Sequence, residues 1–321
     1  MDIGAISMTF HSRVIRILFV MLLTGFSYYL LGLYVNGDQI YYRQLYSTFE
    51  ETNFFDIFSV SFGIIGSSEP LSVISLWLGA QLNIEKDLYI SLYNFMLLNG
   101  LWLFCRRYKA GGLVLFLILT NYYILVLLTG AERLKFAFIL ITYGFVFFER
   151  RWAGRLLLVS SIGAHFQSAL FLLCVGAYRA LADKVIFSFR MRISGLFIAL
   201  SSLFFVLFIY NYFSDVITRK IIVYSGSGDI YDLVKPLALF CVGALSLKSF
   251  WSGVRIFVLM APLFFIFGDE RMTMVYFMVL FYLLGVEGRL KSPAFLVVLM
   301  YFSVQSIRFI SNVFTFGTGF V

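Results

Sequence analysis

Charge is what this sequence has least of. Only 13% of its 321 residues are Asp, Glu, Lys or Arg, about half the share of an ordinary soluble domain. A soluble chain of this size needs polar side chains to cover its surface, whereas 61% of these residues are hydrophobic. A large soluble enzyme is therefore disfavoured, and a lipid environment, which removes the need for polar cover, is expected. Cysteine is scarce as well. Cys105, Cys174 and Cys241 are odd in number and lie in apolar runs. They form neither a disulfide framework nor a Cys-x-x-Cys metal pair, and read as small hydrophobic residues. Histidine occurs only at His11 and His165. There is no His-Glu-x-x-His, Walker loop, Gly-x-Ser-x-Gly or Asp-x-Asp pair, which argues against metalloprotease, ATPase and serine hydrolase chemistry. Carboxylate-driven chemistry remains open. No metal and no cofactor is expected. No basic stripe with interleaved aromatics is present either, so the net charge of +8 does not point to nucleic acid.

What is abundant is aromatic and apolar. Phe and Tyr number 39 and 20, which suits lipid-facing helices and interfacial belts. A membrane-spanning helix needs about 20 apolar residues. Runs approaching that length lie at 14–36, 88–105, 111–129, 133–148, 193–213, 233–247, 254–267, 272–286 and 292–310. The first is too long for a secretory signal peptide and no small-x-small cleavage site follows it. Two further stretches are apolar but interrupted: 54–83 by Gly66-Ser67-Ser68-Glu69-Pro70, and 153–178 by Gly163-Ala164-His165. The expected fold is all-α, a polytopic integral membrane protein of about nine to eleven transmembrane helices. It is expected to form a single transmembrane domain over 1–321, with one or two broken or re-entrant elements and no soluble domain.

Basic residues orient this arrangement. Clusters at Arg13/Arg16, Arg106-Arg107-Tyr108-Lys109, Arg150-Arg151 with Arg155, Arg179 to Arg192, Lys248/Arg255 and Arg289/Lys291 hold sixteen of the 25 Lys and Arg. The positive-inside bias puts them, and the N-terminus, in the cytoplasm. The spans then alternate consistently only if both interrupted stretches return to the side they left, as hairpins or re-entrant elements. Broken backbone at membrane depth is tolerated only where protein or a wet cavity surrounds it. Thirteen of the 17 acidic residues, among them Asp38, Glu69, Glu132 and Glu270, fall on the outer side. The longest outer segments are the expected loops 37–53 and 214–232. Segments of that length often carry function.

Arg133 and Arg271 are the first candidates for chemistry. Gly130-Ala131-Glu132-Arg133 and Gly268-Asp269-Glu270-Arg271 share the pattern Gly-x-Glu-Arg, each at the outer start of a helix. An arginine at a membrane boundary is often a snorkelling anchor. Its fork also binds phosphate bidentately, and a helix N-terminus favours an anion. Glu132 and Glu270 either orient their neighbouring guanidinium or neutralise it. His165 sits at the tip of a broken helix. An ionisable group at membrane depth is a functional candidate by default, and imidazole titrates in the range that acid–base catalysis needs. Gln167 and Ser168 are read as hydrogen-bond partners of His165 rather than as nucleophiles. Asp38 and Tyr42 lie in a segment rich in tyrosine, which suits either an interfacial belt or stacking on sugar rings. Glu69 precedes Pro70 at the start of a short helix and is either a helix-dipole partner or an acid–base group. Arg219 and Tyr224, in a basic aromatic stretch, either hold a polyanionic or sugar ligand or pair with Asp215 and Asp229.

The ordered set Gly37-Asp38…Tyr42, Glu69-Pro70, Arg133-Leu134-Lys135-Phe136-Ala137, His165-Phe166-Gln167-Ser168-Ala169 and Glu270-Arg271 resembles the EpsG family of Wzy-type polysaccharide polymerases, from about residue 34 to 285. The resemblance implies a bacterial inner-membrane enzyme of O-antigen or exopolysaccharide biosynthesis. Its substrate would be an oligosaccharide repeat unit on undecaprenyl pyrophosphate at the periplasmic face. The growing chain would be transferred onto a new unit with undecaprenyl pyrophosphate as leaving group. In that reading Arg133 and Arg271 hold the pyrophosphate. His165, Asp38 or Glu69 deprotonates the acceptor, while Tyr42, Arg219, Tyr224, Glu132 and Glu270 contact substrate. Membrane lipid, a chain-length regulator and a flippase are the implied partners. A flippase or transporter of lipid-linked sugars is the main alternative. A surface-polymer ligase, a sugar acyltransferase and a non-catalytic assembly subunit are weaker ones.

Overall fold

A computed structural model describes residues 10–147, 151–182, 234–267 and 269–320. Every regular element among them is helical: α1 (Phe10–Leu33), α2 (Asp38–Phe49), α3 (Ile57–Ile65), α4 (Pro70–Gln81), α5 (Lys86–Arg107), α6 (Gly112–Leu119), α7 (Tyr122–Thr129), α8 (Glu132–Val146), α9 (Arg151–Ala164), α10 (Gln167–Ala182), α11 (Val234–Ser246), α12 (Phe250–Phe267), α13 (Asp269–Val286) and α14 (Pro293–Phe316). The apolar helices fit an all-α, membrane-embedded protein. By length and composition, three described helices are able to cross a bilayer, Arg13–Leu33, Lys86–Arg107 and Pro293–Phe316. The number rises to five if each of two bent pairs counts as one span. The expected span 193–213 and the outer loop 214–232, with Arg219 and Tyr224, lie outside the described residues.

Two expectations about local structure are corrected. Segment 37–53 is not a loop, because most of it is α2. Gln39, Tyr42, Leu45, Tyr46 and Phe49 are buried, and their three- and four-residue spacing makes one helical face. Its low overall hydropathy had hidden that stripe. The apolar run 111–129 is not one helix. It breaks at Thr120–Asn121 into α6 and α7, bent by 44°. The Asn121 side chain accepts from the Tyr123 amide and caps α7, while Ser306 of α14 donates to the freed Thr120 carbonyl at 2.6 Å. A polar pair inside an apolar run thus has local partners for the backbone groups it exposes.

The break in 54–83 is sharper. α3 and α4 meet at 102°. Gly66 ends α3 in the left-handed conformation, φ 62°, where a Cβ would be strained. Pro70 then opens α4, where its missing N–H costs no helical bond. The break in 153–178 falls at His165–Phe166, between α9 and α10.

The described chain divides into two compact units. In the first, Met1–Leu170 with Leu296–Val321, α1 packs on α5, α5 on α8, α8 on α9, and α4 on α2 and α9. Leu45, Phe49, Ile57, Leu76, Ile90 and Ala137 belong to its core. Gly79 lets α4 approach α2 and α5, because a Cβ there would lie 2.6 Å from both the Tyr46 hydroxyl and the Tyr89 ring. In the second unit, Phe171–Phe295, α11, α12 and α13 pack together. From Met272 to Leu284, α13 is buried on every face, as suits a helix apolar all round.

Candidate functional site

Four of the residues marked by sequence meet at two of the helix breaks. Glu69 occupies the position before α4 in an extended conformation (φ −62°, ψ 119°) and does not cap its own helix. Its carboxylate is instead taken by three other groups. Arg133 Nη1 donates to Oε2 at 2.8 Å. The Ser67 hydroxyl also donates to Oε2. His165 Nδ1 lies 3.0 Å from Oε1. Arg133, in the first turn of α8, also donates from Nε to the Tyr42 hydroxyl of α2 at 3.2 Å. Burial raises the Tyr42 hydroxyl above the ordinary phenol range, with Arg133 opposing in part, so Tyr42 is a neutral phenol. The cluster is nearly enclosed without being sealed. The side chains of Arg133, His165 and Glu69 are 16%, 14% and 4% exposed.

The pairing fixes the chemistry available. Glu69 faces a guanidinium and is a carboxylate, an acceptor only. His165 Nδ1 therefore carries the proton that binds Oε1, and Nε2 is left with its lone pair. Nε2 lies 3.2 Å from Gln167 Oε1, an acceptor that cannot donate to that lone pair; exchanging the O and N ends of the amide would put its NH2 there. The Nδ1–H tautomer follows from the Glu69 contact alone. A carboxylate holding an imidazole by Nδ1 is the arrangement that presents Nε2 as a general base. Ser168 donates from Oγ to the His165 carbonyl at 2.7 Å, steadying the break. Arg133 uses Nε and Nη1, so its Nη2 end is the part without a partner among the described residues.

Glu132, adjacent to Arg133, turns elsewhere. It is fully buried and accepts from Lys86 Nζ at 2.6 Å and from Gln39 Nε2 at 2.9 Å. Lys86 also donates to Gln39 Oε1. Beside them Arg43 Nη2 donates to Asp87 and to the Leu31 carbonyl, both at 2.8 Å. One turn into α8, the buried Lys135 donates to the Leu128 carbonyl. Thus Glu132 neither orients nor neutralises its neighbouring arginine. Asp38 opens α2, exposed and one turn before Tyr42. Glu270 and Arg271 begin α13 in the second unit, and their side chains lie outside the described part. Sequence reasoning missed Ser67, Lys86, Gln39, Arg43 and Asp87. The pair Lys86-Asp87 at the start of a spanning run was the available signal, since charges there need partners.

Among the described residues, no three of His, Cys, Asp and Glu converge as a metal site. Comparison of the chain with protein-family models, curated proteins and solved structures finds no match.

Proposed function

We propose that the chain is a membrane-embedded glycosyltransferase that polymerises lipid-linked oligosaccharides, joining repeat units carried on undecaprenyl pyrophosphate at the outer face of a bacterial inner membrane. The observation that carries this reading is the contact of one carboxylate, Glu69, with both Arg133 and His165. A cation suited to a departing pyrophosphate and a base suited to a hydroxyl are thereby held a few ångströms apart. The resemblance of the same residues to the EpsG family supplies the substrate class.

In this mechanism His165 Nε2 takes the proton of the acceptor hydroxyl. The oxygen forms the new glycosidic bond at the donor's anomeric carbon. The bond from that carbon to the pyrophosphate oxygen breaks, and its electron pair leaves with undecaprenyl pyrophosphate. Arg133, through its Nη2 end, stabilises the charge that develops there, an electrostatic role that removal of water from the site strengthens. For Arg271, whose side chain lies outside the described part, pyrophosphate contact rests on the family resemblance alone. Glu69 positions both groups, and Tyr42 holds Arg133 from behind.

Polymer formation from purified lipid-linked repeat unit, with no energy source, tests the proposal. Arg133→Lys and His165→Ala are expected to reach normal protein levels yet give one repeat unit per lipid anchor in place of long chains. Undiminished polymer length in both variants would overturn the assignment. Translocation of the lipid-linked unit without polymerisation would favour a flippase.

A further inference from the structure

One helical turn along α2 from the Tyr42–Arg133 contact, a second feature opens to the surface. It is a cavity of about 430 Å³ lined by Arg43, Tyr46, Ser47, Glu50, Asn83 and Glu85, with Ile84 and Lys86 at its wall. That volume lies within the range of small-molecule sites, roughly 300–1,000 Å³. Its cations are already committed. Arg43 pairs through Nη2 with Asp87, its side chain still 35% exposed, and Lys86 pairs with Glu132. Its carboxylates are not. Glu50 makes no side-chain hydrogen bond or ion pair among the described residues, and Glu85 uses one oxygen, Oε2, to cap α5 and to accept from the Tyr28 hydroxyl. The cavity therefore offers acceptors and negative charge, which repel phosphate and uronate and suit hydroxyl-rich sugars.

One local rule is broken at its rim. Glu50 is the C-cap of α2, followed by Glu51, and no basic residue occupies the last turn. Negative charge at that end is disfavoured by the helix dipole. Glu50, which sits against that preference with no side-chain partner among the described residues, marks a functional position. Asn83 has φ 53° and closes the end of α4 in a Schellman pattern, its N–H donating to the Ala80 carbonyl and the Ile84 N–H to that of Gly79. Asparagine tolerates this left-handed position and places an amide, donor and acceptor together, on the cavity lining.

We infer that this cavity is a glycan subsite for neutral or amino-bearing sugars, which holds the repeat unit beyond the sugar that reacts at His165. The inference rests on the polymerase reading for its ligand and on the cavity for its selectivity. Tyr46 supplies an aromatic wall, and Glu50, Asn83, Ser47 and Glu85 accept from or donate to ring hydroxyls. Inorganic pyrophosphate does not bind there.

Binding of the free oligosaccharide, released by mild acid from the organism's own lipid-linked repeat unit, tests this on the full chain in detergent micelles. Saturation-transfer NMR gives the readout. The wild type and His165→Ala are expected to bind alike. Glu50→Gln and Asn83→Gly are expected to weaken binding tenfold or more with an unchanged thermal melt. Asn83→Gly keeps the left-handed backbone and removes only the amide. Excess inorganic pyrophosphate is expected not to compete. Equal binding by both variants, displacement by pyrophosphate, or no binding by the wild type would overturn the subsite. Full-length polymer in His165→Ala cells alongside intact oligosaccharide binding would instead overturn the polymerase reading and leave a glycan site standing.

Discussion

Glu132 and Arg133 are neighbours in one helical turn, yet they serve two different charge clusters. Glu132 faces Lys86 and Gln39 in the interior, its carboxylate 0% exposed, while Lys86, at the cavity wall, is 7% exposed. Arg133 faces Glu69 and Tyr42 in a cluster that keeps a path outward, at 16% exposure. Charges taken fully out of water are stable only while paired, and a carboxylate so enclosed has no room for a substrate. A pair with one edge open can exchange part of its pairing for a ligand. The Glu132 cluster ties α2, α5 and α8 together, whereas the Arg133 cluster joins the breaks before α4 and after α9. The difference assigns architecture to the first and chemistry to the second.

That contrast can be broken at several points, from the largest effect on stability to the smallest. Lys86→Met leaves Glu132 buried and unpaired, and is expected to cost about 3–5 kcal/mol. It should appear as a large drop in thermal midpoint in detergent and in membrane abundance. Lys86→Met combined with Glu132→Leu removes both charges and is expected to recover most of that loss, since an apolar replacement of a whole pair is often neutral. Gly79→Ala forces a methyl against Tyr46 and Tyr89, with an expected cost of about 1–3 kcal/mol and no separate effect on chemistry. Tyr42→Phe removes the acceptor of Arg133 Nε. It is expected to cost about 1 kcal/mol and to shorten the polymer by more than that loss of stability explains. Arg133→Lys is expected to shift the thermal midpoint least while abolishing polymer extension, because lysine retains the charge against Glu69 but loses the fork. A Lys86→Met variant as stable as the wild type, or an Arg133→Lys variant that fails to accumulate, would erase the distinction between the two clusters.

Much of the helical outline was legible. Runs 14–36, 88–105, 233–247 and 292–310 coincide closely with α1, α5, α11 and α14, because an uninterrupted apolar run has one solution for its backbone. The breaks at Gly66–Pro70 and His165 were legible too, from glycine, proline and a lone polar tip. α2 was not, since its buried face is written in Tyr and Gln, residues that read equally as loop or belt. Nor was the bend at Thr120–Asn121, where Ser306, far away in sequence, supplies the missing donor. In the site, Tyr42, Glu69, Arg133 and His165 were each singled out. Glu132 was read as the companion of Arg133 on adjacency alone, but successive residues on a helix point about 100° apart. Their partners are set by whichever neighbours face each direction.

The sequence by itself determined an all-helical chain with apolar runs long enough for a membrane, and where those runs must break. Composition and period act locally, and lipid leaves the backbone few alternatives. Only the tertiary structure decided which charges meet. Glu69 pairs across 64 residues with Arg133 and across 96 with His165, and those separations are bridged by helix packing. No local signal encodes it. The same packing decided that Glu132 is sealed and that Glu50 and Asn83 line an open cavity, because burial belongs to the assembled helices and not to any residue alone.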